Sequence, residues 1–133
     1  MTTAELQQCL TTLFAPWIRE LKLEVSHADN DSVTLTLPFS EHLTHVAGVV
    51  CGQVYMAAAD TAMVLALSNV LGEFKPMTTI SLNTNFIRPV SAGDVRVVAT
   101  VLRRGRSIAF GEIFLYDSDD NIVAHASTTY ALL

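Results

Sequence analysis

The feature that most constrains this chain is an apolar segment, residues 54–71, that carries a single carboxylate, Asp60. Three alanines precede Asp60 directly, and the segment is apolar on almost every side of a helix. Such a helix must be surrounded by protein. Polar residues at four positions interrupt it, so we interpret it as a buried helix of a globular protein and not as a membrane span. We expect it to start near Cys51 or Gly52 and to stop at Gly72, a natural helix terminator.

Short strands are predicted on both sides of this helix. Their expected bounds are Leu21–Ala28 and Val33–Leu37 before it, and Thr78–Ile87, Asp94–Arg103, Ser107–Tyr116 and Ile122–Leu132 after it. Helical spacing of apolar residues also predicts an N-terminal helix over Thr3–Arg19, with Thr2 or Thr3 as its cap. Consecutive strands with short turns pair in antiparallel fashion. The sequence therefore predicts an α+β hotdog fold: one domain, residues 1–133, with a curved antiparallel sheet wrapped around a long central helix.

Charge and composition narrow the function classes. The net charge of −5 argues against a nucleic-acid binder, which needs a basic surface. Half of the residues are hydrophobic and only 16% are charged, so another subunit is expected to cover some of the surface. We expect at least a homodimer and favour a homotetramer. Two cysteines without metal-ligand spacing, and no positively charged apolar leader, indicate a cytoplasmic protein that needs no metal and no membrane.

Asp60 is the first candidate for chemistry. An unpaired buried carboxylate costs several kcal/mol, and aspartate is a poor residue for a helix interior. One interpretation is a structural aspartate bonded to a backbone amide or to an arginine of another subunit. The other is a carboxylate kept in a cleft of low dielectric constant, where it acts as a base or nucleophile.

The helix start supplies the second candidate. Gly52 has no side chain, so a substrate carbonyl can approach the unpaired N–H groups of the first turn, which would stabilise an oxyanion. The alternative is a glycine that only eases a tight turn. Cys51 and Asp60 are nine residues apart, or about two and a half turns, and so lie on opposite sides of the helix. If Asp60 and the helix start both act on one thioester, the site must be shared between two subunits.

Several segments together resemble the phenylacetate-degradation (PaaI-type) hotdog thioesterases. These are His45-Val46-Ala47-Gly48-Val49-Val50-Cys51-Gly52-Gln53, Ala58-Ala59-Asp60-Thr61-Ala62, Asn85-Phe86-Ile87-Arg88-Pro89, Ala92-Gly93-Asp94 and Gly105-Arg106-Ser107-Ile108-Ala109-Phe110. The resemblance spans nearly the whole chain. It implies the fold predicted above and hydrolysis of an acyl-CoA, with coenzyme A entering only as part of the substrate.

The resemblance also assigns roles to individual residues. Asp60 matches the general base or nucleophile, and Gly52 matches the glycine whose N–H supports the oxyanion. Thr79, with Ser81 expected on the same strand face, lies near the position of a hydroxyl that orients water. The remaining candidates are arginines that would bind the phosphates of coenzyme A: Arg88, Arg103, Arg104 and Arg106. An ordinary solvated hairpin turn is the alternative for the last three.

Three positions depart from the family pattern. His45 stands where the family has asparagine, and it is a candidate to donate to the thioester carbonyl or to position water. Cys51 replaces the histidine of the helix start; it is either a thiol activated by the helix terminus or a small side chain that only packs. Gln53 replaces the second glycine and is a candidate to contact the substrate. A non-catalytic protein that binds acyl-CoA or an acyl carrier is therefore an open alternative, and a hotdog dehydratase or hydratase is a third.

Overall fold

The computed structural model describes all residues of the chain, Met1–Leu133. Its helices are α1 (Thr3–Thr12), α2 (Pro16–Arg19), a short 3-10 helix (Glu41–Leu43) and α3 (Gly52–Leu71). Its strands are β1 (Glu24–Ala28), β2 (Ser32–Leu37), β3 (Met77–Phe86), β4 (Val95–Arg104), β5 (Ile108–Tyr116) and β6 (Ile122–Leu132).

The strands form one six-stranded sheet in the order β1-β2-β4-β5-β6-β3, and every neighbouring pair is antiparallel. Helix α3 contacts all five strands from β2 to β6. Five strands span about 19 Å and a helix is only about 10 Å wide, so the sheet must curve around α3 to maintain these contacts. The predicted hotdog arrangement is confirmed.

Small residues allow α3 to lie close to the sheet. Ala58, Ala59 and Ala62 of the helix are fully buried. On the sheet, a Cβ atom on Gly111 of β5 would lie 2.3 Å from the terminal carbon of Met63 and 2.9 Å from the main-chain oxygen of Thr100, so a side chain here would require both to shift. By length and composition α3 could also cross a membrane, but 67% of its most apolar window is buried inside the protein, as in the central helix of a globular core.

The predicted bounds of α3 and the pattern of β2 are confirmed. Cys51 caps the helix, and Gly72 ends it with a φ of 83°, in the left-handed region that glycine adopts without strain. In β2, Val33, Leu35 and Leu37 are buried and the intervening residues are not, as their alternation predicts.

The N-terminal region differs from the prediction in two places. The single helix predicted over Thr3–Arg19 is two helices, because Pro16 has no N–H to donate and excludes helical geometry at Ala15 before it. Thr2 caps α1 in a reciprocal capping box with Glu5. Strand β1 starts at Glu24 and not at Leu21, since Lys22 turns the chain with a φ of 58°.

Candidate active site

Asp60 makes two side-chain hydrogen bonds to residues on neighbouring strands. Thr79 of β3 donates its hydroxyl to Oδ1 of Asp60 at 2.9 Å. Tyr130 of β6 also donates to Oδ1, and its hydroxyl lies 3.0 Å from the main-chain oxygen of Asp60. Both donors bind the same carboxylate oxygen, and Oδ2 has no hydrogen-bond partner within the protein. The carboxylate is thus held by uncharged donors, without a cation beside it.

The pairing of β3 with β6 explains why these two donors meet. Thr79 lies directly opposite Tyr130 in the antiparallel register, so their side chains project from the same face of the sheet, the one that faces α3. Tyr130 is 1% exposed. Burial, together with the nearby Asp60 carboxylate, raises the pKa of Tyr130 above its ordinary value. Its hydroxyl therefore stays protonated and remains a donor at every physiological pH.

The expectation that Ser81 shares a face with Thr79 is wrong. The register between β3 and β6 shifts between Thr79 and Ser81, as at a β-bulge, and Ile80 is the extra residue. Ser81 pairs with Thr129, whose neighbours on β6 are both buried on the inner face. Ser81 consequently projects from the outer face of the sheet, away from Asp60.

Asp60 opens into an apolar cavity of about 560 Å³, which we call the Asp60 groove. One wall is the segment from α1 to α2 and the other is α3, with Leu82 of β3 at the side. Its lining residues are Leu13, Phe14, Ala15, Trp17, Ile18, Gln53, Met56, Ala57, Asp60, Thr61, Val64 and Leu82. Trp17 is 60% exposed although it borders this groove. The candidate Gln53 thus lies on the same open stripe of α3 as Asp60.

The helix start borders a different cavity, of about 280 Å³, which we call the helix-start pocket. It is lined by His45, Val50, Gly52, Tyr55, Phe86, Ile87, Arg88 and Pro89. A Cβ atom on Gly52 would lie 3.1 Å from the Phe86 ring, so any side chain at this position would crowd the first turn of α3. Three predicted candidates, His45, Gly52 and Arg88, therefore meet in this pocket.

His45 has one ring nitrogen already engaged. Its Nδ1 accepts a hydrogen bond from the backbone N–H of Ala47 at 3.1 Å. A neutral imidazole with Nδ1 as acceptor carries its proton on Nε2, which is then free to donate. Cys51, in contrast, makes no side-chain capping hydrogen bond, and its half-buried thiol packs against the core. The pocket thus offers an imidazole donor and an amide terminus, with the thiol in a packing position.

Asp60 and Gly52 line cavities that share no residue. This separation agrees with the helical geometry, since eight residues place Gly52 and Asp60 about 12 Å apart along the helix axis. Within a single subunit, the structure gives the carboxylate and the helix start two different surroundings.

A model of the thioesterase superfamily matches residues 47–124, more than half of the chain. The chain belongs to the thioesterase superfamily. The matched residues include the whole of α3 with Gly52 and Asp60, and Thr79 of β3. They exclude His45, which lines the helix-start pocket, and Tyr130, which donates a hydrogen bond to Asp60.

Solved structures and curated relatives agree with this membership. Thioesterase HI1161 from Haemophilus influenzae superposes with a TM-score of 0.90 at 27% identity, over 100% of this chain and 91% of that one. Rv1847/MT1895 from Mycobacterium tuberculosis, an esterase candidate, superposes with a TM-score of 0.82 at 28% identity, over 90% and 97% of the two chains. The esterase candidate Ta0293 from Thermoplasma acidophilum is 27% identical over 114 residues, 86% of either chain.

The candidate arginines of this superfamily member do not form one cluster. Arg88 lies at the end of the sheet where Phe86 pairs with Ala124, whereas Arg104 lies where Ala109 pairs with Tyr130. Six residues of β6 separate these points, or about 20 Å. Within one subunit, Arg88 is therefore too far from the three arginines of the β4–β5 turn for a single phosphate group to contact both regions. The three at the β4–β5 turn, Arg103, Arg104 and Arg106, are exposed and make no ion pair in the structure.

Sequence reasoning missed Tyr130 as a site residue. It did predict the strand over Ile122–Leu132, and Ala124, Ala126 and Thr128 share the inward parity of Tyr130 on that strand. A tyrosine at an inward position needs a partner for its hydroxyl when it is buried. That parity was the available signal, but only the register with β3 identifies Asp60 as the partner.

Proposed function

We propose that this thioesterase-superfamily protein hydrolyses an acyl-CoA thioester with a small or medium acyl or aryl group. One observation carries the proposal: the Asp60 carboxylate is held on one oxygen by two uncharged donors and borders an apolar groove. The superfamily, and the thioesterase and esterase names of the relatives, support a hydrolase acting on such bonds. Within the superfamily, we place the chain with the phenylacetate-degradation type on the motifs quoted above.

The proposed reaction uses water and needs no cofactor. As a water oxygen attacks the thioester carbonyl carbon, Asp60 takes a proton from that water and the carbonyl oxygen becomes an oxyanion. The oxyanion then collapses, the C–S bond breaks, and the thiolate of coenzyme A leaves and takes up the proton. In the alternative course, Asp60 attacks the carbonyl carbon itself, the C–S bond breaks as coenzyme A leaves as a thiolate, and water then hydrolyses the resulting anhydride to the free acid and the Asp60 carboxylate. Thr79 donates to Asp60 and keeps its oxygen lone pairs available to hold the water.

The oxyanion would be held at the helix start. The N–H of Gly52 is one of the first-turn amides that have no partner within α3, and the helix dipole adds partial positive charge there. His45 would add a second donor through Nε2, because its Nδ1 is already occupied. Donors of this kind stabilise the charge that develops on the oxygen in the transition state.

We further propose that each site combines Asp60 of one subunit with Gly52 of the other. Strand β3 is an edge strand with ten residues and one unpaired side, which suits pairing with a second copy. Antiparallel pairing of two β3 strands about their common centre would set Thr79 opposite Thr84 of the partner subunit. Phe86 lies two residues further along and packs over Gly52. The aspartate of one subunit would thus approach the helix start of the other.

The substrate would lie across this interface. The acyl group would occupy the apolar Asp60 groove, and the nucleotide would extend outside it toward Arg88 of one subunit or the β4–β5 arginines. Arg88 and the β4–β5 arginines lie at opposite ends of a subunit. A phosphate would therefore contact only one of these two basic regions of a given subunit, and the other could come only from the second subunit.

A homotetramer is proposed on a second surface. On the outer face of the sheet, Ile80, Leu102 and Phe110 are 55%, 60% and 44% exposed. Phe110 lies in one row across the sheet with Arg103, Thr129 and Ser81, and Leu102 and Ile80 are the extra residues next to Arg103 and Ser81 at the two register shifts. An exposed apolar patch of this kind favours association of dimers through their sheets.

Release of free thiol from a panel of acyl-CoAs tests the proposed activity. We expect wild type to turn over at least one acyl class, and Asp60→Asn to lower kcat by about 10²–10⁴-fold, the usual contribution of a general base. Asp60→Asn keeps the acceptor oxygen for Thr79 and Tyr130, and thermal unfolding will show whether it is folded. Tight binding without turnover on every acyl chain would contradict the enzyme and favour the acyl-CoA or acyl-carrier binding protein.

A further inference from the structure

Tyr130 makes a contact that the chemistry proposed above does not use. Its hydroxyl lies within hydrogen-bond distance of two atoms of one residue, Oδ1 and the main-chain oxygen of Asp60. The main-chain oxygen belongs to the backbone of α3, and Oδ1 belongs to the side chain that leaves it. A single hydroxyl therefore fixes the carboxylate relative to the axis of the helix.

The hydroxyl has one proton to donate, and the carboxylate is the stronger acceptor because it is ionised. Burial of Tyr130 and the adjacent Asp60 raise the pKa of the phenol, so it does not exchange this role for that of a base. Tyr130 lines neither the Asp60 groove nor the helix-start pocket. It has no route to the substrate and can act only through Asp60.

Thr79 donates to the same oxygen from the opposite strand. With Oδ1 occupied by two donors, Oδ2 is the carboxylate oxygen that keeps its lone pairs free, and Asp60 lines a cavity that a substrate can enter. A partial rotation of the carboxylate about its last bond would break both hydrogen bonds at once, whereas a half turn restores them with the two equivalent oxygens exchanged.

We propose that Tyr130 is a positioning residue that, together with Thr79, anchors Oδ1 of Asp60 and thereby assigns Oδ2 as the reacting oxygen. This inference rests on the proposed function, because it names the oxygen that takes the proton from water or attacks the carbonyl carbon. It also gives the β3–β6 register a role in the reaction. The pair opposite each other in that register, Thr79 and Tyr130, sets the orientation of a group on a different element.

The kinetic test compares Tyr130→Phe with a matched control, Thr128→Val. Thr128 lies two residues away on the same face of β6, and its buried hydroxyl donates to the main-chain oxygen of Ser81 at 2.8 Å, not to Asp60. Both variants lose one buried hydroxyl hydrogen bond. We expect Tyr130→Phe to lower kcat by about 10–100-fold, the effect of a misplaced reacting group, with KM nearly unchanged. Thr128→Val should lose thermal stability but retain kcat.

Tyr130→Phe in the Thr79→Ala background adds a second kinetic criterion. Both donors act on one oxygen, so the effects of removing them should not be independent. The fold-decrease in kcat of the double variant should be smaller than the product of the fold-decreases of the two single variants. Equal kcat in wild type and Tyr130→Phe, or a loss of the same size in Thr128→Val, would overturn the inference.

Crystal structures of wild type and Tyr130→Phe test the inference without any activity. We expect one orientation of the Asp60 carboxylate in wild type, and a rotated or divided carboxylate in the variant. An unchanged single orientation in Tyr130→Phe would overturn the positioning role. If wild type hydrolyses no thioester, the proposed function fails, and these structures still decide whether Tyr130 holds the carboxylate.

Discussion

The Asp60 groove and the helix-start pocket lie on the same helix but differ in how much of the surroundings one subunit supplies. At the Asp60 end, two strands each contribute a hydroxyl to one carboxylate oxygen, and one of the two residues is fully buried. At the Gly52 end, the amide is open, Cys51 makes no capping bond, and His45 stands on an exposed loop. One subunit thus organises the carboxylate by itself, whereas it leaves the helix start open, and in our proposal a substrate and a second subunit complete the site there.

The largest effect at the helix start is expected from Gly52→Val. A side chain here would crowd Phe86 and fill the approach to the amide, so kcat should fall by about 10²–10³-fold, as on loss of an oxyanion donor. In Gly52→Ala, kcat should fall by less, because the Phe86 ring needs to shift only slightly to admit one methyl group. Thiol release measures both variants. Full activity in Gly52→Val would show that the Gly52 amide does not stabilise the oxyanion. The helix-start pocket would then have no role in the reaction to compare with that of the Asp60 groove.

A smaller effect is expected from His45. If Nε2 donates one hydrogen bond to the oxyanion, His45→Ala should lose about tenfold in kcat, the equivalent of about 1.4 kcal/mol. His45→Gln should recover part of the loss, because its amide also donates. Steady-state kinetics of the three proteins at one pH check this. A loss of the same size in both variants would contradict a simple donor role.

Alkaline stability tests the Asp60 end separately. The pKa of Tyr130 is raised in the folded protein, so its contribution to stability is complete below the ordinary tyrosine value of 10 and is lost as pH rises above it. The free energy of unfolding should fall by about 1.4 kcal/mol per pH unit from this group. Urea unfolding between pH 9 and 11 measures it. Tyr130→Phe should flatten the slope, and Tyr116→Phe, at the other end of the sheet, should not.

The smallest effect is expected from Cys51→Ser. Serine is a preferred helix cap, and it would accept from a first-turn N–H that the thiol leaves unbonded, which should add about 0.5–1 kcal/mol of stability. The rate should stay within about twofold, because a hydrogen-bonded cap leaves the Gly52 amide free. Thermal unfolding and thiol release are the measurements. A large decrease in the rate of thiol release in Cys51→Ser would show instead that the Cys51 thiol takes part in catalysis.

Much of the fold could be predicted from local patterns. The apolar segment with its terminal Gly72 specified α3, and alternation specified the faces of β2, because each pattern depends only on residues close in sequence. Pro16 is also a local signal for a break between two helices. The helical spacing of apolar residues continues past it, however, and therefore predicted one helix. The number of strands followed from the turns between them, whereas their order in the sheet, with β3 beside β6, was not predicted.

The candidate site was only partly predictable. Asp60 and Gly52 stand out as residue types in unusual surroundings, whereas Thr79 was assigned only through the family resemblance. The structure gives Asp60 and Thr79 a direct hydrogen bond. The outward turn of Ser81 and the bond from Tyr130 depend on the register of strands more than forty residues apart, including an extra residue at Ile80 that carries no sequence signal. The separation of Arg88 from the β4–β5 arginines likewise depends on the strand order.

Subunit complementation tests the central claim, a site shared between two subunits, most directly. Asp60→Asn and Gly52→Val should each retain about 1% of wild-type activity or less alone, but a mixed dimer contains one site with both wild-type groups. Random assortment of equal amounts should therefore restore about a quarter of wild-type thiol release, since half of the dimers are mixed and each has one intact site. Mixing that restores no activity, with dimer exchange verified by mass spectrometry, would contradict the shared site.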